Sequence, residues 1–268
     1  MLVTLLGTAG WIPGERRETT SFAVRDGDNL LLFDAGTGLR RLLEPAQAAL
    51  LEGALQVHLF LTHYHLDHVC GLAYLPGVLP DRPITIHAPG AALTGVEPEA
   101  ALAGLLRRPY NPRDWRELAE LRLVPLAAGV NEVAGHEVRV RPQQHSDVSV
   151  AYRVDDAFVL ATDTGIDAGT AELAAGAGLL LHEAWYNAAD PRTEDVPAAL
   201  RPGFAAHSEA GAVAGLAAAA GVGRLVLIHL NPLYDEAYYS AMADRAGAVF
   251  ARTEVRADGA VIETTATA

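Results

Sequence analysis

Hydrophobic positions along the chain switch repeatedly between strand-like and helix-like spacing. Apolar runs predict strands at 2–6, 20–26 and 29–34, and Leu30-Leu31-Leu32-Phe33 is continuous enough to be buried on both faces. A helix is predicted from Thr37 to about Leu51, then a strand over 55–62 and a polar loop from His63 to His68. Ile84-Thr85-Ile86 is another strand, Glu97 to Arg107 reads as helix, and the Pro-containing stretch 107–113 reads as an exposed connection. Strands resume near 121–126, 137–142, 148–154 and 157–162, followed by a short helix near 170–177 and the apolar run Leu179-Leu180-Leu181. Residues 185–206, rich in proline, read as a long loop of the kind that often carries function. A helix follows over Ser208–Ala220 with Ser208 as its cap, then a buried strand 225–230, a helix 235–247 and a strand 248–256. Composition breaks nowhere, so the pattern predicts one α/β domain over 1–268, built from two similar halves.

Composition then removes mechanisms. All 20 basic residues are arginine, which excludes a Schiff-base lysine, a P-loop lysine and a Ser-Lys pair. The net charge of −13 argues against a broad polyanion-binding surface but leaves room for a small phosphorylated substrate. Cys70 is the single cysteine, so no internal disulfide forms, as suits a reducing cytoplasm. No signal-like segment precedes the first strand, and the Ala-rich stretch 210–220 is too short to span a bilayer, so a cytoplasmic protein without membrane contact is expected.

The chemistry concentrates in Thr62-His63-Tyr64-His65-Leu66-Asp67-His68. Four metal-competent side chains fall within six residues directly after an apolar strand. His63 and His65, two apart, can face one ion, and Asp67 and His68 in the following turn can reach a second. Imidazole nitrogen and carboxylate oxygen suit zinc, and equally manganese or iron. Further candidates follow other strands: His145 after 137–142, Asp163 in Leu160-Ala161-Thr162-Asp163-Thr164, and His229 in Val226-Leu227-Ile228-His229.

The HxHxDH segment, taken with His145, Asp163, His229 and the Asp34 of Phe33-Asp34-Ala35-Gly36, resembles the metallo-β-lactamase-fold hydrolase superfamily. The resemblance implies an αββα four-layer sandwich of two mixed sheets flanked by helices. It also implies two divalent ions, zinc above all, that share a hydroxide. By that likeness His63, His65 and His145 hold one ion, Asp67, His68 and His229 the other, Asp163 bridges, and Asp34 is structural. Two further segments resemble the ribonuclease Z-like, phosphodiesterase branch: Leu181-His182-Glu183-Ala184, and His207-Ser208-Glu209-Ala210. In that branch the histidine protonates the leaving oxygen and the glutamate orients it, roles carried here to His207 and Glu183; Asp67 would also accept a proton.

The expected function is therefore dinuclear metal-dependent hydrolysis of a small or nucleotide-type phosphodiester. Two alternatives stand beside it: a tRNA 3′-processing endonuclease, or a carbon-ester hydrolase such as a lactonase or thioesterase. The acidic balance and the lack of a long basic arm count against extended nucleic acid, and Leu233 stands where the branch has an arginine. Arg107, Arg108, Arg113 and Arg116 read as solvated surface, whereas Arg16 and Arg17 sit in a loop that the resemblance places near the site. Cys70, His58, His87, His136 and His182 read as structural, and Trp11, Trp115 and Trp185 as loop aromatics. A homodimer is compatible with the resemblance.

Overall fold

In a computed structural model that describes residues 1–112, 114, 117 and 121–264, the apolar runs become fourteen strands in two sheets. These are β1 (Leu2–Gly7), β2 (Ser21–Asp26), β3 (Asn29–Phe33), β4 (Gln56–Phe60), β5 (Ile84–Pro89), β6 (Leu121–Leu126) and β7 (Gly129–Val133). They continue with β8 (His136–Gln143), β9 (Ser149–Val154), β10 (Phe158–Ala161), β11 (Leu179–Glu183), β12 (Leu225–Ile228), β13 (Thr253–Val255) and β14 (Val261–Glu263). Arg113, Trp115 and Arg116 lie outside the described residues.

The first sheet runs β14-β1-β2-β3-β4-β5-β6 and the second β13-β12-β11-β10-β9-β8-β7. Both are mixed. β14, β1, β2 and β3 pair antiparallel, then β3 to β6 parallel. In the second sheet β8, β9 and β10 pair antiparallel and β10 to β13 parallel. Two compact units result, residues 1–134 with 257–263, and residues 135–256. The parallel strands carry the continuous apolar runs because both of their faces are covered: Leu30 to Phe33, Leu179 to Leu181 and Leu225 to Ile228 are all buried. Chain topology then decides where chemistry can sit. Asp34, Asp163 and His229 each come within two residues after the C-terminal end of a strand.

Three local expectations need correction. The stretch 37–51 is not one helix but 3-10 turns at Thr37–Leu43 and Pro45–Gln47 and a single α-turn, Ala48–Leu51. Pro45 lacks the N–H that a continuous helix would need there. Ser208 does not cap the next long helix. That helix spans Ala210–Ala220, and Glu209 caps it by accepting the Ala212 N–H at 2.8 Å. The terminal strand shrinks to Thr253–Val255. Strands β7 and β14 were not expected, and the 185–206 stretch read as loop carries 3-10 turns at Pro191–Thr193 and Ala198–Leu200 and a short helix at Arg201–Ala205. The remaining helices lie close to expectation, at Pro98–Leu105, Ala168–Ala174 and Glu236–Gly247, the last two capped by Asp167 and Asp235. No helix among the described residues is long and apolar enough to cross a membrane.

Candidate active site

In the first unit the histidine-rich motif leaves β4 and enters a single helical turn, Leu66–Val69. Asp34, directly after β3, organises it. Its carboxylate is fully buried and accepts from the Thr62 amide (2.7 Å), the Thr62 hydroxyl (2.8 Å) and His68 Nδ1 (2.8 Å). Burying a carboxylate is costly unless it is hydrogen-bonded in this way. The bond to Asp34 turns His68 Nε2 toward Asp67 Oδ2, 3.2 Å away. The Thr62 hydroxyl likewise lies 3.1 Å from His63 Nδ1. The His63 ring packs 4.4 Å from His65 and 4.3 Å from His68, measured between centroids. Four nitrogen and oxygen donors are thus gathered, and two of them, His63 and His68, are oriented by partners behind them, the arrangement by which proteins preset metal ligands.

The motif is also clamped from below. The Ala35 amide donates to His68 O and the Gly71 amide to Ala35 O, at 2.8 and 2.7 Å. The backbones approach so closely that a Cβ on Gly36 would lie 2.5 Å from the Asp67 carbonyl oxygen. Only glycine fits there.

The second unit assembles a matching group. His145 and His229 each point Nε2 at Asp163 Oδ1, at 3.5 and 3.2 Å. Asp163, His207 and His229 all place a ligand atom within 4.8 Å of one another. The His145 Nδ1 faces Ala206 O at 3.3 Å, which again presents Nε2 to the carboxylate. Burial pushes the His145 pKa down, with Asp163 opposing. The neutral imidazole so favoured is the form that ligates.

His207 occupies the edge of this group. Its Nδ1 lies 2.7 Å from Glu183 Oε2. Glu183 is fully buried at the end of β11 and takes a very short bond from the Thr164 amide on its other oxygen. Ser208, freed from capping, donates to Thr164 O at 2.7 Å and locks the same turn. Trp185 lies flat on His207, with centroids 4.3 Å apart and planes 14° apart.

Several of these features were not foreseen: the Trp185 stack, Thr62 and Ser208 as orienting groups, and a bond from the Trp11 amide to Asp67 Oδ2 at 2.8 Å. One signal has no sequence counterpart. Asp34, Asp163 and His229 all adopt positive φ, 56°, 52° and 49°. Left-handed backbone costs a non-glycine residue about 1–3 kcal/mol and persists where the surroundings hold it.

The remaining candidates lie elsewhere. Arg17 turns inward and bonds Thr8, while Arg16 is exposed. His136 bonds Asp155, His182 turns to its own strand's Glu183 carbonyl, and His58 pairs with His87. Cys70 is half-buried, and burial, then Asp67, raises its thiol pKa. Arg107 and Arg108 are exposed, as is Leu233.

Residues 14–203 match the family profile described as the metallo-beta-lactamase superfamily. A ribonuclease Z of Mycobacterium avium (strain 104) is 34% identical over 274 residues, covering 91% of each chain. Among solved structures, a diphosphatase from the PhnP family superposes with TM-score 0.72 at 17% identity, covering 99% of this chain and 98% of that one. The short form of human tRNase Z gives TM-score 0.65 at 21% identity, covering 99% of this chain and 100% of that one. The two mixed, helix-flanked sheets are those of the shared fold, as the motif led us to expect.

Proposed function

Because the chain belongs to the metallo-β-lactamase superfamily and is a metal-dependent hydrolase, we propose that it cleaves phosphodiesters as a ribonuclease Z-like endonuclease on the 3′ side of tRNA precursors. The observation that carries the reading is the Glu183–His207 pair beside Asp163 and His229. A ribose alkoxide is a poor leaving group and needs a proton, which a carboxylate-held imidazole supplies. A thiolate needs none, which weighs against a thioesterase. The size of the substrate is argued from the relatives, whose names favour RNA over the small diester that the charge balance first suggested.

His63, His65, Asp67, His68, His145, Asp163 and His229 are the donors we assign to two divalent ions. Histidine nitrogens with two carboxylates suit zinc, and manganese or iron as well. Bound there, the metals would activate water and neutralise charge on the phosphate. The protein's own part is positional. Asp67 takes up the proton of the attacking water, the new oxygen–phosphorus bond forms, and His207 delivers its proton to the departing ribose oxygen. Glu183 keeps His207 Nδ1 engaged, so the proton leaves from Nε2.

A second reading, a small nucleotide diester, is favoured by the −13 charge, the absence of lysine and Leu233 in place of an arginine. The zinc- and manganese-loaded protein should be assayed on a 3′-extended tRNA, bis(p-nitrophenyl) phosphate, cyclic nucleotides, a lactone and a thioester. We expect endonucleolytic cleavage of the tRNA, with binding that weakens as salt rises. Hydrolysis confined to the small diesters would move the assignment to the second reading, and turnover of carbon esters alone would overturn both.

A further inference from the structure

The loop between β1 and β2 holds an aromatic side chain in an unusual way. Residues 11–16 are all exposed, with Trp11 at 48% and Ile12 at 45%. Trp11 also has φ 60°, a left-handed conformation that bulky residues rarely adopt. Three bonds hold this backbone. The Trp11 amide donates to Asp67 Oδ2 at 2.8 Å, Ile12 N to Gly10 O at 2.8 Å, and Gly14 N to Arg17 O at 2.8 Å.

Below the tip the loop is rigid. Arg17 is buried and donates to the Thr8 hydroxyl at 2.7 Å. Thr8 and the Glu18 amide both bond the Asp258 carboxylate, at 2.7 and 2.6 Å. A large apolar ring is therefore left about half exposed, on a hydrogen-bonded base, with its own amide on a residue of the proposed catalytic set. The ring stays outside the buried core clusters while its backbone bears strain, and such strain marks positions where the conformation itself is used.

We propose that Trp11 is a stacking platform for an unpaired nucleobase flanking the scissile phosphate. This rests on the phosphodiesterase reading above. The bond to Asp67 anchors the Trp11 backbone directly on the proposed catalytic set, so a base next to the scissile phosphate is the part of a substrate this loop would meet. Single-stranded nucleic acid is commonly gripped through such aromatic stacks, which tolerate any base because each has a π-face. With a net charge of −13 the chain as a whole exerts little long-range pull on a polyanion, and apolar stacking adds a grip that does not depend on charge.

The test uses Trp11→Gly and Trp11→Phe. Glycine keeps the amide to Asp67 and accepts positive φ without strain, so the loop survives while the platform is lost. Intrinsic fluorescence is titrated with adenosine 5′-monophosphate and with ribose 5-phosphate, which lacks the base. Turnover is compared on thymidine 5′-p-nitrophenyl phosphate and methyl p-nitrophenyl phosphate. We expect the adenosine nucleotide to quench wild-type emission more than ribose 5-phosphate does, and this base-dependent quenching to shrink in Trp11→Gly to the part that Trp185 contributes. The ratio of kcat/KM for the nucleotidyl over the methyl ester should fall roughly 10-fold in Trp11→Gly and much less in Trp11→Phe. An unchanged ratio, or nucleotide quenching of the same amplitude in wild type and Trp11→Gly, overturns the platform while leaving phosphodiester hydrolysis intact. Failure of the wild type on every phosphodiester overturns the functional reading instead, and the fluorescence titration alone then decides the role of Trp11.

Discussion

His207 is fixed from three directions: Glu183 on its Nδ1, the Trp185 ring on its face and the His145 ring at its edge, 4.9 Å between centroids. Such restraint suits the role proposed for it, delivery of a proton to one oxygen. His207→Ala is expected to lower kcat on tRNA by about 10²–10⁴-fold while metal content stays at the wild-type level. The loss should be far smaller on bis(p-nitrophenyl) phosphate, whose leaving group needs no proton. Metal content and both rates, measured on one preparation, check this; loss of metal would make His207 a ligand instead. At this scale the sequence was explicit about donors, because HxHxDH and the strand-end His145, Asp163 and His229 are written out in order. It was silent about what aims them. Thr62, Ser208 and Trp185 are ordinary residues until the fold brings Asp34, Thr164 and His207 against them.

Among the elements, the metal-motif segment is the least forgiving. It is held on the β3 exit through Ala35 and Gly71, and a Cβ on Gly71 would press into the Gly36 and Ala35 carbonyl oxygens. Backbone cannot yield as a side chain would, so Gly71→Ala should cost about 1–3 kcal/mol. It should also weaken metal retention, because His68 rides on the same clamp. Urea unfolding and metal dissociation, compared with wild type, report the two effects separately. The elements themselves were legible where burial is two-sided, as in β3, β11 and β12. They were lost where local chemistry competes. Pro45 broke the long helix, and Thr164 O captured Ser208 so that Glu209 became the cap. The strand β7 went unseen because Gly129-Val130-Asn131-Glu132-Val133 carries too little apolar signal, and the strand β14 because it has three residues.

For the whole molecule, titration sets a limit on stability. Burial, then His58 and Arg122, press the His87 pKa down to about 4, and burial lowers His58 as well. Between that value and the ordinary 6.5 the unfolded chain binds a proton that the folded one refuses. Stability is therefore full above this window and falls as pH drops through it. His87→Phe, which preserves a ring against Phe60, should flatten the slope of the urea midpoint against pH across the same window. The −13 net charge is likewise a property of the entire chain: it describes the surface, whereas the proposed site gathers histidines around few carboxylates. One bond has a wider reach than its length suggests. Asp258 accepts from the Glu18 amide across 240 positions of sequence, beside the strand β14 that completes the first sheet at β1. During synthesis the amino-terminal residues emerge long before this carboxylate exists. The loop that displays Trp11 can therefore take its final form only after residue 258 has been made, some 240 positions later than the loop itself.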